Sequence, residues 1–230
     1  MLAARTCDAP AVPRSPHPAP PRITSPSVSS LDPADPEWPE SGHELDGVHV
    51  TGADLTGRRL RDVRWRESVI ADATVDDVDL RGARLTDVRL EAVTATTFSA
   101  PLSTWRDAEV VASRWGAAEL YEVQWTSVVL RGCKVAYLNL RGATLVDVLV
   151  EDCVIDALDL QSANVERLAV VGGRVGELLL AESTLRDVDL RVATIDDVSP
   201  ARALVGASLT TVQVLDVAPR LAAELGIDVH

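Results

Sequence analysis

Every fifth residue between positions 45 and 195 of this chain is apolar, without a break in register. Of these 31 central positions, 29 carry Leu, Val, Ile or Trp, and the other two are Ala95 and Ala100. A period of five fits neither a straight α-helix, whose apolar face recurs about every 3.6 residues, nor a flat strand, whose faces alternate. So strict a repeat indicates a chain that turns at regular intervals and stacks on itself.

A second apolar position lies two residues before each centre, so the unit reads apolar-x-apolar-x-x. This unit predicts a short strand with two inward side chains, followed by a turn. Four units close a square coil of 20 residues, and side chains taken at intervals of 20 sort by size. A small column contains Ala53, Ala73, Cys133 and Cys153, and a large one contains Trp65, Trp105 and Trp125. Glycines recur two residues after a centre, where a turn needs positive φ, and six of them are Gly52, Gly57, Gly82, Gly132, Gly142 and Gly172.

The segment Ala53-Asp54-Leu55-Thr56-Gly57 carries the motif Ala-(Asp/Asn)-Leu-x-x in full, and Ala163-Asn164-Val165 and Ala83-Arg84-Leu85 carry it in part. The chain therefore resembles the pentapeptide-repeat family over about 155 of its 230 residues. The resemblance implies an all-β solenoid, a right-handed quadrilateral parallel β-helix of about eight coils of 20 residues, with a short C-terminal helical cap.

Two features depart from the family pattern. Phe occupies no centre, and Trp occupies four, at positions 65, 105, 115 and 125. Around residue 98, both neighbouring centres shrink to alanine while Phe98 takes the preceding inward position. We interpret this as an exchange of volume that keeps the core filled. A bulge or kink at Pro101 would accompany this exchange, and a functional groove there is the alternative.

Three regions follow from the repeat. Residues 1–40 hold ten of the 13 prolines and predict a disordered tail, in which Trp38 is either docked onto the first coil or unpacked. Residues 41–200 form the β-helix. Residues 201–230 predict a helical cap, with Pro219 in a first turn and Gly226 at a C-terminal stop. Leu221 and Leu225 are the candidate cap contact, and a two-fold dimer contact is the alternative that the resemblance implies.

The sequence predicts no enzyme, because no catalytic, metal-binding or cofactor-binding motif is present. The four histidines do not pair with Cys, Asp or Glu at metal-ligand spacing. Cys133 and Cys153 fall on adjacent coils, and we interpret them as small buried hydrophobes rather than a disulfide or reactive thiols. The absence of a secretory signal and of a disulfide framework favours a cytoplasmic location.

The net charge of −13 argues against nucleic-acid and membrane binding. One outward column forms a candidate acidic interaction ladder, and a second acidic patch lies elsewhere on the wall. The ladder comprises Glu67, Asp87, Asp107, Asp147 and Asp187, and the patch comprises Asp76, Asp77, Asp156, Glu177, Asp196 and Asp197. A solvated face without a partner is the alternative interpretation of both.

Some pentapeptide-repeat proteins protect DNA gyrase and topoisomerase IV from quinolones or peptide toxins by imitating DNA. Residues 45–200 hold 26 acidic and 17 basic residues, a net charge of −9. Duplex DNA carries about one charge per 1.7 Å, hence roughly 22 over a rod of about 38 Å. The resemblance therefore implies a non-enzymatic protein that binds a protein partner on its outer wall, with a DNA mimic for a type II topoisomerase as the sharpest version. A scaffold module whose N-terminal tail makes the contact is the alternative.

Overall fold

The computed structural model describes residues 17–28, 32–33 and 41–229, and residues 41–200 form a parallel β-solenoid of about eight coils. One sheet holds the strands of two adjacent sides of the square, and a second sheet holds those of the other two sides. The first sheet comprises β1 (Asp32–Pro33), β2 (Glu44–Asp46), β3 (Val48–Thr51), β4 (Arg64–Ala71), β6 (Arg84–Glu91), β8 (Thr104–Val111), β10 (Gln124–Arg131), β12 (Thr144–Glu151), β14 (Asn164–Val171), β16 (Thr184–Asp189) and β18 (Ala207–Ser208). The second comprises β5 (Val78–Asp79), β7 (Thr94–Ser99), β9 (Arg114–Glu119), β11 (Lys134–Asn139), β13 (Val154–Asp159), β15 (Arg174–Leu179) and β17 (Thr194–Ser199).

The register between successive coils is 20 residues from β4 to β17. Trp105 pairs with Trp125, Trp125 with Leu145, and Val135 with Ile155. The leucine centres of a third side stack in the same way. Leu60 donates its N–H to the carbonyl of Asp79 in the next coil, and Leu140 donates to that of Asp159, both at 2.8 Å. The predicted square coil is confirmed.

Most corners have left-handed backbone, and the six predicted glycines all have φ between 62° and 70°. Non-glycine residues adopt the same conformation at many of the other corners, most often Asp, whose short polar side chain tolerates it better than most. The corner residues thus follow from backbone sterics rather than from the surface that they face.

The exchange of volume around Phe98 is borne out by the stacking of coils. Phe98 pairs with the small Ala118 in the next coil, and Ala95 pairs with the large Trp115. The rings of Phe98 and Trp115 lie parallel, with centroids 4.4 Å apart. The 20-residue register continues past Pro101, so the coils remain stacked there.

The C-terminal end of the rod is covered by a 3-10 helix, Ala201–Leu204, and one α-helix, α1 (Thr211–Glu224). Thr210 and Gln213 form a capping box that begins α1, and Leu225 is followed by Gly226 with φ of 71°. The prediction that Pro219 lies in a first turn is wrong, because α1 already begins at Thr211 and Pro219 lies inside it. The predicted stop at Gly226 is confirmed.

Candidate binding surface on the outer wall

The acidic ladder lies at one corner of the square, in the middle of the long strands of the first sheet. All seven residues of this column have positive φ, between 44° and 58°, including Ser127 and Arg167, which interrupt the acids. Aspartate is common at such left-handed positions for conformational reasons alone. The ladder is therefore explained in part by its corner geometry, without reference to a partner.

Residues 17–28, which we call the strap, lie extended along this corner. Their chain direction is opposite to the growth of the rod, so that Ala19 lies near the C-terminal coils and Ser27 near the N-terminal ones. The predicted disorder of residues 1–40 does not hold for these twelve, because the rod supplies acceptors for their backbone. Trp38 and the remaining tail residues, apart from the β1 backbone, lie outside the described residues.

Four backbone N–H groups of the strap donate to side chains of the ladder column. Arg22 donates to Asp147 Oδ1 and Thr24 to Ser127 Oγ, both at 2.8 Å. Ala19 donates to Asp187 Oδ1 at 3.2 Å and Ser27 to Asp87 Oδ1 at 3.3 Å. Ser127 Oγ also donates back to the carbonyl of Thr24 at 3.3 Å. The ladder thus binds polypeptide backbone at four levels of the rod.

A row of outward residues beside the ladder is buried although it lies outside the solenoid core. Val129 is 1% exposed, and Val69, Glu109 and Ala169 are also buried. Each precedes an inward centre by one residue, so strand alternation points it away from the core. The strap is hydrogen-bonded to the ladder column, which lies two residues before this row in each strand. We therefore attribute the burial of the row to the strap. Five strap residues are themselves half-buried: Pro18, Pro21, Ile23, Pro26 and Val28.

Asp147 is the ladder residue with the most strongly defined surroundings. The Arg167 guanidinium donates to both of its carboxylate oxygens, at 2.6 and 2.9 Å, and the Arg22 N–H donates to one. These hydrogen bonds, with that from Arg167 the largest cause, hold the pKa of Asp147 below its ordinary value. The carboxylate is therefore charged at neutral pH and accepts the strap in that form.

The remaining ladder acids differ in their exposure. Asp87, Asp107 and Asp187 are half-buried, and Glu67 is exposed. Arginines are interspersed on the same sides of the rod: Arg186 and Arg167 each pair with Glu166, and Arg66 Nη1 lies 3.0 Å from Glu44 Oε1. The corner therefore carries mixed charge rather than one continuous acidic row.

The second acidic patch divides into structural and exposed members. Asp76 Oδ1 accepts the N–H groups of Thr96 and Thr97 in the next coil, each at 3.0 Å. The hydrogen bond from Thr97 is the main reason that the Asp76 pKa is lowered. Asp196 pairs with Arg174, and Asp197 Oδ1 lies 2.8 Å from Arg220 Nη2. Asp77, Asp156 and Glu177 are exposed to solvent.

A polar network that the sequence analysis missed crosses a different side of the rod. The buried Asp159 accepts from Tyr137 Oη and Arg141 Nε, both at 2.7 Å. Burial of the Tyr137 hydroxyl, together with its hydrogen bond to Asp159, raises the Tyr137 pKa to about 12. On the same side, Asn139 Nδ2 donates to Glu119 Oε2 of the preceding coil, at 2.7 Å. Only the 20-residue stacking, with tyrosine and arginine on outward positions, would have indicated this network.

The candidate cap residues separate in the structure. Leu221 packs against the core with Val217, whereas Leu225 is 72% exposed. Gln213 Nε2, which the sequence analysis did not single out, donates to the carbonyls of Leu190 and Ala193 in the last coil, at 2.8 and 2.9 Å. Leu221 and Gln213 thus cap the rod, and Leu225 does not contribute to that cap.

The other candidate groups give no reactive site within the described part of the chain. Cys133 and Cys153 are buried free thiols in adjacent coils, and the Cys133 N–H points at Cys153 Sγ at 3.4 Å. The hydrogen bond with Cys133 and burial raise the pKa of the Cys153 thiol. Residues 17–28, 32–33 and 41–229 contain no cluster of three His, Cys, Asp or Glu side chains able to hold a metal ion. Nor does any helix in these ranges have the length and apolar character of a membrane span.

Comparison with known proteins gives a family match and distant structural matches. The pentapeptide-repeat family model matches residues 51–87, with eight copies of the repeat. No curated protein matches the chain in sequence.

Among solved structures, a trypsin-treated form of QnrB1, a plasmid-mediated fluoroquinolone resistance protein, is 14% identical, with a TM-score of 0.46 over 82% of this chain and 100% of QnrB1. HetL of the cyanobacterium Nostoc, involved in heterocyst differentiation regulation, is 18% identical, with a TM-score of 0.34 over 74% of this chain and 90% of HetL. Sequence identities and TM-scores this low carry no functional argument. Residues 51–87 match the repeat model and the same five-residue sides continue in register to residue 199, and both findings support the pentapeptide-repeat family for this chain.

Proposed function

We propose that this protein is a non-enzymatic binding module that contacts a protein partner through the outer wall of its β-helix. The observation that carries the proposal is the strap: outward side chains of the wall accept four backbone hydrogen bonds from an extended polypeptide segment. A wall that binds its own chain in this way has the acceptors and the apolar surface that a partner's segment needs. The cytoplasmic location remains a prediction.

A DNA mimic for DNA gyrase or another type II topoisomerase is the sharper version of this proposal. The excess of acidic residues favours it, with a net charge of −13 for the whole chain. The strap covers part of the ladder, and arginines neutralise several acids, so the exposed Asp77, Asp156 and Glu177 of the second patch are the most accessible charges for this role. A two-fold contact through the exposed apolar residues Val212 and Leu215 of α1, together with Leu225, is proposed as the dimer contact.

A supercoiling assay with purified gyrase and a quinolone tests the topoisomerase version. We expect micromolar protein to restore supercoiling, and Asp156→Asn/Glu177→Gln to weaken that effect at least threefold. Asp62→Asn/Glu122→Gln, which removes two exposed acids from a different corner, is the matched control and should retain the effect. If the unaltered protein neither rescues nor inhibits supercoiling, a topoisomerase is excluded as the partner.

The scaffold alternative differs in the part of the chain that makes the contact. In that alternative the N-terminal tail reaches the partner, and residues 17–28 must leave the wall before they do so. A pull-down with the full chain, compared with a variant whose exposed strap side chains Arg22 and Ser25 are replaced by alanine, separates the two. Loss of the partner on this change alone would favour the tail over the wall.

A further inference from the structure

The spacing of the strap hydrogen bonds matches the stacking of the coils. From Ala19 to Ser27 the strap advances eight residues, while its acceptors move from Asp187 to Asp87, which is five coils. A polyproline II chain rises about 3.1 Å per residue, or about 25 Å over eight residues. Five coils at about 4.8 Å each span about 24 Å. The rise of the strap therefore matches the stacking of the coils, with about three strap residues for every two coils.

The prolines of the strap occupy positions that do not donate to the rod. Residues 19, 22, 24 and 27 donate to the ladder column, and none of them is proline, whereas Pro18, Pro20, Pro21 and Pro26 lack an N–H and occupy other positions. Proline at these positions favours the extended conformation without removing a bond to the rod. The half-buried Pro18, Pro21 and Pro26 also add apolar contact area.

We propose that this corner of the rod is a binding surface for extended, proline-containing peptides, and that the strap is its built-in, exchangeable occupant. The surface consists of the acceptors Asp87, Ser127, Asp147 and Asp187 with the outward Val129 and Ala169 beside them. It selects a segment with N–H groups at relative positions 0, 3, 5 and 8 and prolines between them. A partner protein that carries such a segment replaces the strap.

The strap has an advantage over any partner because it is tethered. Only twelve residues separate Val28 from Ser41 at the start of the rod, and a short tether supplies an effective concentration on the order of millimolar. A partner segment must therefore compete with a local ligand, which makes the surface selective for segments that match the register well. This inference rests on the proposed protein-binding function, but its test uses no topoisomerase, so the two fail independently.

Peptide binding to full-length variants tests the proposal. Arg22→Pro/Thr24→Pro removes the two N–H donors of the 2.8 Å bonds, and Arg22→Ala/Thr24→Ala removes the same side chains but keeps both N–H groups. The probe is a fluorescein-labelled peptide of residues 16–29, followed by fluorescence anisotropy. Circular dichroism and thermal melting check that both variants retain the rod, since both pairs of substitutions lie in the strap and not in the rod.

We expect the proline variant to bind the peptide at least tenfold more tightly than the alanine variant, in which the strap stays seated. Adding Ser127→Ala to the proline variant should weaken binding, and alanine tolerates this backbone conformation because Ala92 and Ala112 adopt positive φ at a neighbouring corner of the square. A peptide with proline at positions 22 and 24 should not bind. Equal binding by the two variants, or equal binding of the two peptides, would overturn the proposal.

Discussion

Aspartate in the ladder has two roles that the sequence alone does not separate. At the residue scale, each ladder aspartate sits in left-handed backbone, and this conformation favours Asp and Gly over most residues. Three of these aspartates, Asp87, Asp147 and Asp187, also accept an N–H of the strap through their carboxylates. The 20-residue spacing was enough to identify the ladder column. It could not identify the strap that lies on the column, because the spacing describes only the rod.

The tryptophan centres were predicted to point inward, and their burial confirms this. Trp115 is 3% exposed and stacks on Phe98, and within the described chain its indole N–H has no hydrogen-bond partner. Its contribution to stability therefore comes from packing. The fit depends on Ala95 and Ala118, the small residues across the stack.

We predict that Trp115→Asp lowers the free energy of unfolding by at least about 4 kcal/mol, because it leaves both a cavity and an unpaired buried charge. Trp115→Phe, which keeps an aromatic ring against Phe98, should cost clearly less. Urea unfolding followed by circular dichroism measures both. An aspartate variant as stable as the unaltered protein would contradict the inward position of this side chain.

At the scale of elements, α1 is attached at its start to the last coil and at its end to the 3-10 helix that covers the rod. Gln213 near its start donates to two carbonyls of the last coil. Glu224 at its end accepts the N–H groups of Ala201 and Arg202, at 2.7 and 3.0 Å. The helix thus satisfies open backbone groups that a truncated solenoid would leave unpaired. The sequence predicted a helix here from apolar spacing, but not these contacts, since they depend on where the last coil ends.

The two candidate leucines of the cap should respond differently to truncation. Leu221→Ala is expected to lower the free energy of unfolding by about 1–2 kcal/mol, because the partly buried side chain loses its contact with the core. Leu225→Ala should change it by less than about 0.5 kcal/mol. Size-exclusion chromatography with light scattering then reports whether Leu225→Ala weakens self-association. A stability loss at Leu225 equal to that at Leu221 would contradict the division of roles.

At the scale of the whole molecule, the period of five was sufficient to predict the solenoid, because each inward position recurs in every coil. The strap could not be predicted in the same way. A proline-rich segment has no apolar period, and its position depends on the match between polyproline and coil spacing. One signal was present in the sequence: Val69, Val129 and Ala169 stand at outward positions where a solvated wall would carry polar residues. The same row contains the charged Glu109, so the apolar signal marks only part of it.

Amide hydrogen exchange measured by NMR on the full chain tests the seated strap most directly. The account predicts that the Arg22 and Thr24 amides, bonded to Asp147 and Ser127, exchange at least tenfold more slowly than the Ser25 amide, which donates to none of the described residues. Ser127→Ala should remove the protection of Thr24 and leave the rod amides unchanged. Equally rapid exchange of all three strap amides in the unaltered protein would contradict the account.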